Sequence, residues 1–444
     1  MRKVLYLGSC VLALSGLSVA QANPDRPNGL DTSFGNNGFV LEDFGSSDHW
    51  FHPTPEAARV QVDGKIVVAG TFDSGSNSHF FLLRYLQDGT RDWAFGNQGL
   101  ATYFQFEPND GPEYRDLLTQ PDGKIILLGS GVWYSYLLRL LPNGQPDETF
   151  GTHGLARFGS QQASIQQTDS LALQSDGKIL FSKATSVEHH DYQVQVYRLN
   201  TDGSLDTQFG ENGRTILPGQ WSLDTALTIQ ADGKILLAST YSTPKSKFAI
   251  ARLDETGKLD DEFGNAGIAL TQVAGYANQI TVAPDGKLIV AGSCDNTEDA
   301  ELTTHGCMAR FDENGSVDKT FGKAGLVLAS VEGRSNPYGA SLKIATDGEI
   351  FLSQSLWPID ATNGKQNYSY FTIMRFSPNG SKDITYGHNG AIVHKVHGFD
   401  WQAASADLQN DGSIIATGMD PTEAGTAPAW RFATIRVCPN GNCQ

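Results

Sequence analysis

Acidic and histidine side chains, the groups that most often bind metal ions or move protons, are concentrated at a few places in this sequence. Two histidine pairs stand out, His49 with His52 in DHWFH and His189 with His190 in EHHDY. Four aspartates lie near the predicted starts of strands, namely Asp116, Asp169, Asp224 and Asp400. Converging carboxylates can hold calcium or activate water. No pair has a diagnostic spacing, and solvated loop residues are the simpler interpretation, so we predict no metal site and no cofactor.

The sequence lacks the signatures of several common enzyme classes. We find no serine nucleophile elbow, no P-loop and no dinucleotide-binding glycine motif in a strand-to-helix context. The absence of these motifs argues against many hydrolases and transferases without excluding an enzyme. We therefore predict no catalytic residue.

Aromatic residues recur just before or at the start of the first strand of a repeated unit. The six predicted ligand-binding residues are Trp50, Tyr114, Trp221, Tyr276, Tyr338 and Trp401. Flat apolar rings with polar neighbours suit sugars or extended peptides, which stack and form hydrogen bonds at once. The alternative is that these rings only pack the ends of the strands.

An Asp-Gly hairpin returns seven times along the chain, for example as LLTQPDGKIILLGSG, QVDGKIVVAG and APDGKLIVAG. Asp-Gly suits a tight turn because glycine tolerates positive φ and aspartate caps its own backbone. A calcium loop would need alternating carboxylates around the glycine, and no copy has them. The turns begin at Asp63, Asp122, Asp176, Asp232, Asp285, Asp347 and Asp411.

A second signature, FGxxG, also occurs seven times, as in DTSFGNNG and DETFGTHG. Each period of 53 to 64 residues contains four short strand-like runs bounded by Gly, Asp, Asn or Pro, and helical periodicity is absent. Four strands per repeat and seven repeats predict an all-β fold, a seven-bladed β-propeller with four antiparallel strands per blade.

These motifs resemble the delta-60 repeat of bacterial exported proteins, and the DGK hairpin is similar to the blades of NHL-type propellers. The resemblance covers nearly all of the chain after its first residues. It implies a propeller fold, and it implies no particular reaction.

Three residue types recur once per repeat and are therefore predicted to be scaffold. The FG aromatic is expected to fill the gap between neighbouring blades; its copies are Phe34, Phe95, Phe150, Phe209, Phe263, Phe321 and Tyr386. A recurrent aspartate is expected to pair with a recurrent arginine. The aspartates are Asp31, Asp92, Asp147, Asp206, Asp260, Asp318 and Asp383, and the arginines are Arg84, Arg139, Arg198, Arg252, Arg310, Arg375 and Arg436.

The two ends of the chain carry complementary halves of one repeat. If the run after each FGxxG is the outer strand of the preceding blade, residues 38–44 supply the strand that the last blade lacks, next to the strand ending near Val437. Pairing of the N- and C-terminal segments would then close the ring and remove an open sheet edge. The alternative gives each blade four consecutive strands and no such closure.

Four cysteines follow the first 22 residues, and they form two close pairs. We expect disulfides between Cys294 and Cys307 and between Cys438 and Cys443, because neither pair has zinc-like spacing to other ligands.

The first residues, MRKVLYLGSCVLALSGLSVAQA, are typical of a secretory signal peptide cleaved after Ala22. A single propeller domain is then expected over 23–444, exported to the periplasm or beyond the cell, and acting as a monomer. Cleavage changes the formal charge from −17 to −19, which argues against nucleic acid and anionic membranes as partners. No later run is apolar enough for a membrane span.

Three functional classes fit these observations. A platform that binds carbohydrate or peptide on the face of variable loops is favoured. A hydrolase, lyase or lactonase-like enzyme with a metal in the central channel is the second class, and a purely structural surface component is the third.

Overall fold

The computed structural model describes residues 29–43, 54–74, 77–103, 106, 110–159, 166–188, 191–242, 246–295, 304–358, 368–397, 405–419 and 431–441. The predicted signal peptide therefore lies outside the described residues, as do Trp50, Trp401, Cys443, Asp400 and both histidine pairs. For Asp169 and Tyr338 only the backbone is described. Within these ranges the chain forms strands and turns and no helix, so no described helix has the length and apolar character to cross a membrane.

Four antiparallel sheets have four strands each. The first contains β2 (Thr54–Val60), β3 (Ile66–Ser74), β4 (Asn77–Tyr85) and β5 (Leu100–Tyr103). The second contains β6 (Glu113–Thr119), β7 (Ile125–Ser130), β8 (Tyr134–Leu140) and β9 (Leu155–Gly159). The third contains β21 (Arg334–Ile344), β22 (Ile350–Pro358), β23 (Tyr368–Phe376) and β24 (Ala391–His397). The fourth contains β25 (Ala406–Leu408), β26 (Ile414–Met419), β27 (Arg431–Val437) and β1 (Phe39–Asp43).

The fifth sheet has eleven strands. They are β10 (Gln166–Leu173), β11 (Ile179–Glu188), β12 (Asp191–Leu199), β13 (Arg214–Ile216), β14 (Trp221–Ile229), β15 (Ile235–Tyr241), β16 (Lys247–Leu253), β17 (Ile268–Val282), β18 (Leu288–Asp295), β19 (Thr304–Phe311) and β20 (Leu326–Ala329). One pair, Tyr192 with Trp221, joins β12 to β14. The 15-residue strand β17 pairs with β16 through its first part and with β18 through its second.

Each Asp-Gly segment forms the predicted tight turn between the first two strands of a repeat. The seven glycines have φ between 79° and 89°, a region that a side chain disfavours. The aspartate side chain accepts a hydrogen bond from the N–H two residues later, as from Lys65 to Asp63 at 3.2 Å. The turn interpretation of this motif is confirmed.

The recurrent arginine and aspartate pair in all seven repeats, as predicted. In each pair Nε lies 2.8–2.9 Å from Oδ2 of the aspartate. The guanidinium also lies over the FG aromatic, 4.4–5.1 Å from its ring centre. We call this unit of arginine, aspartate and aromatic ring the arginine bridge.

The arginine bridge also reaches the following repeat. Arg252, for example, donates from Nη1 to the Glu313 carbonyl, and the equivalent bond from Arg436 joins the last repeat to Gln87 in the first. All seven FG aromatics are fully buried. The Phe34 ring packs so closely on Gly89 of the next repeat that a Cβ there would lie 2.9 Å from it. The aromatics thus fill the gaps between repeats, as predicted.

The two chain ends meet in one sheet. Strand β1 pairs antiparallel with β27, with Phe39 opposite Ile435 and Asp43 opposite Arg431. Asp31 adds an ion pair to Arg436, with Nη2 and Oδ2 2.6 Å apart.

The predicted disulfide between Cys294 and Cys307 is present, with a Cα–Cα distance of 5.9 Å between neighbouring strands β18 and β19. Cys438, directly after β27, is disulfide-bonded. Since Cys443 lies outside the described residues, its pairing with Cys438 stays a prediction.

Arg252→Met tests how much an arginine bridge stabilises the fold. The change leaves the Glu313 carbonyl without its donor, whereas Lys234 Nζ still lies 3.0 Å from Asp260 Oδ2, so we expect a loss of about 1–3 kcal/mol in the free energy of unfolding. Urea denaturation measures this loss. The exposed control Lys258→Met should unfold like the unmodified protein. Equal midpoints for Arg252→Met and the control would contradict a stabilising role.

Candidate functional site

The first strand of a repeat is irregular at the same place in six of the repeats. Its register with the second strand shifts between Pro55 and Ala57, Tyr114 and Asp116, Thr168 and Leu171, Trp221 and Thr225, Ala277 and Gln279, and between Ser335 and Ser341 in two steps. A β-bulge leaves a residue unpaired and turns its side chain in a new direction, and bulges are common beside functional sites. In the last repeat, the residues before β25 at this level lie outside the described ranges.

The residues at these bulges differ from repeat to repeat, unlike the turn and FG motifs. Glu56, Arg115 and Asn278 are each the single residue skipped by the pairing, and Asp224 lies within the wider shift of β14. We call these four the bulge residues. Variable polar side chains on a constant scaffold are typical of binding sites.

Arg115 interacts electrostatically with two other bulge residues, although the three strands belong to three sheets. The positive charge of Arg115 acts on both Glu56 and Asp224 and favours their ionised forms. Arg115 also pairs with Glu113 on its own strand, with Nη2 and Oε2 2.8 Å apart. The bulges of β2, β6 and β14 therefore bring three acids and one arginine into a common electrostatic environment.

The carboxyl of Glu56 has a raised pKa. Burial raises the pKa of its carboxyl from about 4.5 to about 7, although a 2.6 Å hydrogen bond from Thr71 Oγ1 and the charge of Arg115 lower it. Near neutral pH this group can therefore donate or accept a hydrogen bond. The same property suits a general acid or base.

The other bulge residues have unused hydrogen-bonding capacity. The pKa of Asp224 is raised because neighbouring groups partly desolvate its carboxyl, although the residue is exposed, and the charge of Arg115 only partly offsets this effect. Arg115 Nε and Asn278 Oδ1 are buried and have no hydrogen-bond partner among the described residues. Buried polar atoms are usually paired, so these atoms are suited to bind a ligand or ordered water.

A second polar group on the first strands, nearer the Asp-Gly turns, is fully paired. Lys343 Nζ lies 2.8 Å from Asp407 Oδ1, and Asp407 Oδ2 accepts the backbone N–H of Val60 at 2.8 Å. Arg59 Nη2 lies 3.1 Å from Asp116 Oδ1. These side chains connect neighbouring first strands and pair with polar groups at the strand edges, so their role is structural. Asp116, singled out in the sequence, belongs to this set.

The six predicted ligand-binding aromatics occupy different environments. Trp221 is 1% exposed, and its indole Nε1 donates to the Pro218 carbonyl at 2.9 Å. Tyr114 is 4% exposed. Neither ring is open to stacking in this structure, whereas Tyr276 is 56% exposed. Tyr338 lies in β21 with only its backbone described, and Trp50 and Trp401 lie outside the described residues, so a ligand face of aromatics stays a prediction.

The acidic and histidine candidates form no metal site in the described part of the chain, where no group of three or more His, Cys, Asp or Glu side chains is arranged to hold an ion. Of the four aspartates, Asp224 is a bulge residue, and Asp169 lies where β10 loses its register. The predicted histidine pairs and Asp400 are outside the described residues.

Sequence reasoning missed Glu56, Arg115 and Asn278. A signal was available, since each stands seven residues before the aspartate of its Asp-Gly turn. It was not recognisable as a site because a bulge has no sequence motif of its own and the three residue types differ.

The fold and its motifs define a β-propeller repeat protein. The family model described as "Domain of unknown function (DUF5122) beta-propeller" matches residues 61–95, 120–150, 174–209, 230–263 and 283–321. Each match begins beside an Asp-Gly turn and ends at an FG aromatic, so the family unit coincides with the repeat read from the sequence. A comparison with curated proteins found no match.

Two solved structures are similar to this chain at low sequence identity. The polysaccharide lyase Uly1 is 12% identical, with a TM-score of 0.50 over 93% of this chain and 99% of that one. A protein of unknown function from Dyadobacter fermentans is 13% identical, with a TM-score of 0.43 over 90% of this chain and 98% of that one. The likeness to the lyase concerns the fold alone.

Glu56→Gln tests the raised pKa at the bulge of β2. Between pH 4.5 and 7 the folded chain keeps a proton that the unfolded chain has lost, so this group's contribution to stability declines as the pH rises through that range. The variant cannot ionise and should therefore gain stability relative to the unmodified protein between pH 5 and pH 8, measured by urea denaturation. Glu211→Gln, at an exposed position, is the control and should show the same difference at both pH values. A pH-independent effect of Glu56→Gln would contradict the raised pKa.

Proposed function

We propose that the chain is a closed seven-bladed propeller over residues 23–444, exported after removal of 1–22. The supporting observation is a closed cycle of contacts between the first strands of the repeats. The first strands contact one another in the order β2, β6, β10, β14, β17, β21, β25 and back to β2. The eleven-stranded sheet then counts as three blades joined edge to edge, and β1 completes the last blade through its pairing with β27.

Within this ring the first strands line a central channel. The Asp-Gly turns end these strands at one face, and the bulge residues lie towards the opposite face, where the connections vary in length and content. Tyr276, two residues before Asn278 on β17, adds an exposed ring near this mouth of the channel.

We infer that the protein is a binding platform whose channel mouth takes a carbohydrate. The observation that carries this proposal is the bulge at one level of the first strands, which presents chemically different polar groups from different blades. Carboxyl, guanidinium and amide groups form paired hydrogen bonds to the neighbouring hydroxyls of a sugar, and a tyrosine ring stacks on its apolar face. A peptide is the other ligand class that the aromatic positions favour.

An enzyme is the second candidate, and one observation favours it. Glu56 combines partial exposure with a pKa of about 7, which suits proton transfer at neutral pH. In that case Glu56 is the acid or base of a hydrolase, lyase or lactonase-like reaction, with Arg115 and Asp224 as neighbours.

Binding to glycan and peptide panels tests the proposal. Tyr276→Ala should weaken carbohydrate affinity about fivefold through lost stacking. Arg115→Gln should weaken it about tenfold or more through lost charged hydrogen bonds. Trp93→Ala, an exposed aromatic in an FG connection on the opposite face, is the matched control and should leave affinity unchanged.

The outcomes separate the alternatives. Binding of peptides but not glycans would replace the ligand class, and a loss confined to Trp93→Ala would move the site to the other face. New sugar ends or cleaved esters, formed by the unmodified protein and absent with Glu56→Gln, would establish the enzyme. No binding to either panel and no turnover would refute both functions.

A further inference from the structure

A buried lysine without a partner lies away from the bulge residues, on the second strand of the third repeat. Lys183 is 4% exposed in β11 and makes no hydrogen bond or ion pair with a described residue. Burial and the nearby charge of Arg214 lower its pKa from about 10.5 to about 8. At neutral pH the side chain is therefore still a cation, held where few water molecules reach it.

The neighbours of Lys183 are hydrogen-bonding groups and a second cation. Gln195 lies directly opposite it on β12. Arg214 on β13 donates from Nη1 to Gln195 Oε1 at 3.4 Å and to the Tyr197 hydroxyl at 3.3 Å. Of the described charged groups, only Arg214 acts on the Lys183 ammonium, and it repels it.

The sheet that contains β8 packs against β11 and places the Ser135 hydroxyl at the level of Lys183. Leu137 of β8 packs in one hydrophobic cluster with Phe181 of β11. Alternate residues of a strand share a face. Ser135 is two residues from Leu137, and Lys183 is two residues from Phe181, in both cases on the side away from the Asp-Gly turn. Ser135 and Lys183 therefore lie on facing surfaces of the two sheets. Ser135 is 1% exposed, and its hydroxyl has no hydrogen-bond partner in the part of the chain that the structure describes.

Two adjacent cations with no acid beside them among the described residues are unexpected in a chain of formal charge −17. A buried unpaired charge destabilises a fold, and a merely structural lysine would be expected to pair with one of the many available carboxylates. Cations that remain uncompensated and have an unused hydroxyl nearby are suited to an anion.

We propose that Lys183, Arg214 and the Ser135 hydroxyl, at the junction of the second and third repeats, form a binding site for an oxyanion, namely a carboxylate, sulfate or phosphate group. Lys183 supplies the buried charge and Arg214 the charge at the entrance, while Gln195 and Tyr197 hold the guanidinium in place. The site is separate from the bulge residues and does not depend on the carbohydrate proposal.

Thermal unfolding of the full chain tests this site, with millimolar sulfate, phosphate or acetate compared against sodium chloride of equal ionic strength. An anion that binds only the folded state should raise the midpoint of the unmodified protein by about 2 °C or more. Lys183→Met should abolish that rise and Arg214→Gln should reduce it. Lys247→Met, a half-buried lysine of β16 without an ion pair, is the control and should respond like the unmodified protein.

The variants also separate binding from a structural role. Without added anion, Lys183→Met should unfold at the same or a higher temperature, because it removes an unpaired buried charge. The anion that gives the largest rise identifies the group recognised. Equal rises in the unmodified protein and in Lys183→Met, or no rise beyond the chloride reference with any anion, would overturn the proposal.

Discussion

The arginine bridge is the interaction on which the rest of this structure depends. Its guanidinium binds an aspartate of its own repeat and a backbone carbonyl of the next, and it covers an aromatic ring that packs on a glycine of that next repeat. Arg252 with Asp260, Phe263 and the Glu313 carbonyl is one copy. No repeat can complete this unit alone, so stability arises at the junctions between repeats.

Because the bridges lie at the end of each repeat that carries the Asp-Gly and FG motifs, the other end of the first strands is free to vary. There the strands bulge, and the bulge residues differ in charge and shape. The electrostatics of the two ends differ accordingly. Although burial opposes ionisation, Lys234 and Arg252 hold the pKa of Asp260 below its usual value, whereas burial raises the pKa of Glu56 and Asp224. Paired carboxylates stabilise the scaffold, and incompletely paired ones are left for chemistry.

Lys183 extends this distinction to positive charge. Five of the seven bridge arginines are buried and all seven are paired with an aspartate, whereas Lys183 is buried to a similar degree and has no ion-pair partner among the described residues. In an acidic chain, such a difference between cations of equal burial separates a structural role from a binding role. Incompletely paired polar groups therefore occur at a junction between repeats as well as on the first strands.

The sequence by itself determined the period, the Asp-Gly turns, the pairing of arginine with aspartate, the buried FG aromatics and the disulfide of Cys294 with Cys307. Each of these features is either local in the chain or repeated in every unit, so its spacing can be recognised in the amino-acid sequence. Only the tertiary structure decided that Tyr114 and Trp221 are buried while Tyr276 is exposed, since a bulge changes the face to which a side chain points. It alone placed Arg115 near Glu56 and Asp224, and Arg214 near Lys183. Those approaches depend on the packing of separate strands, for which the sequence carries no spacing rule.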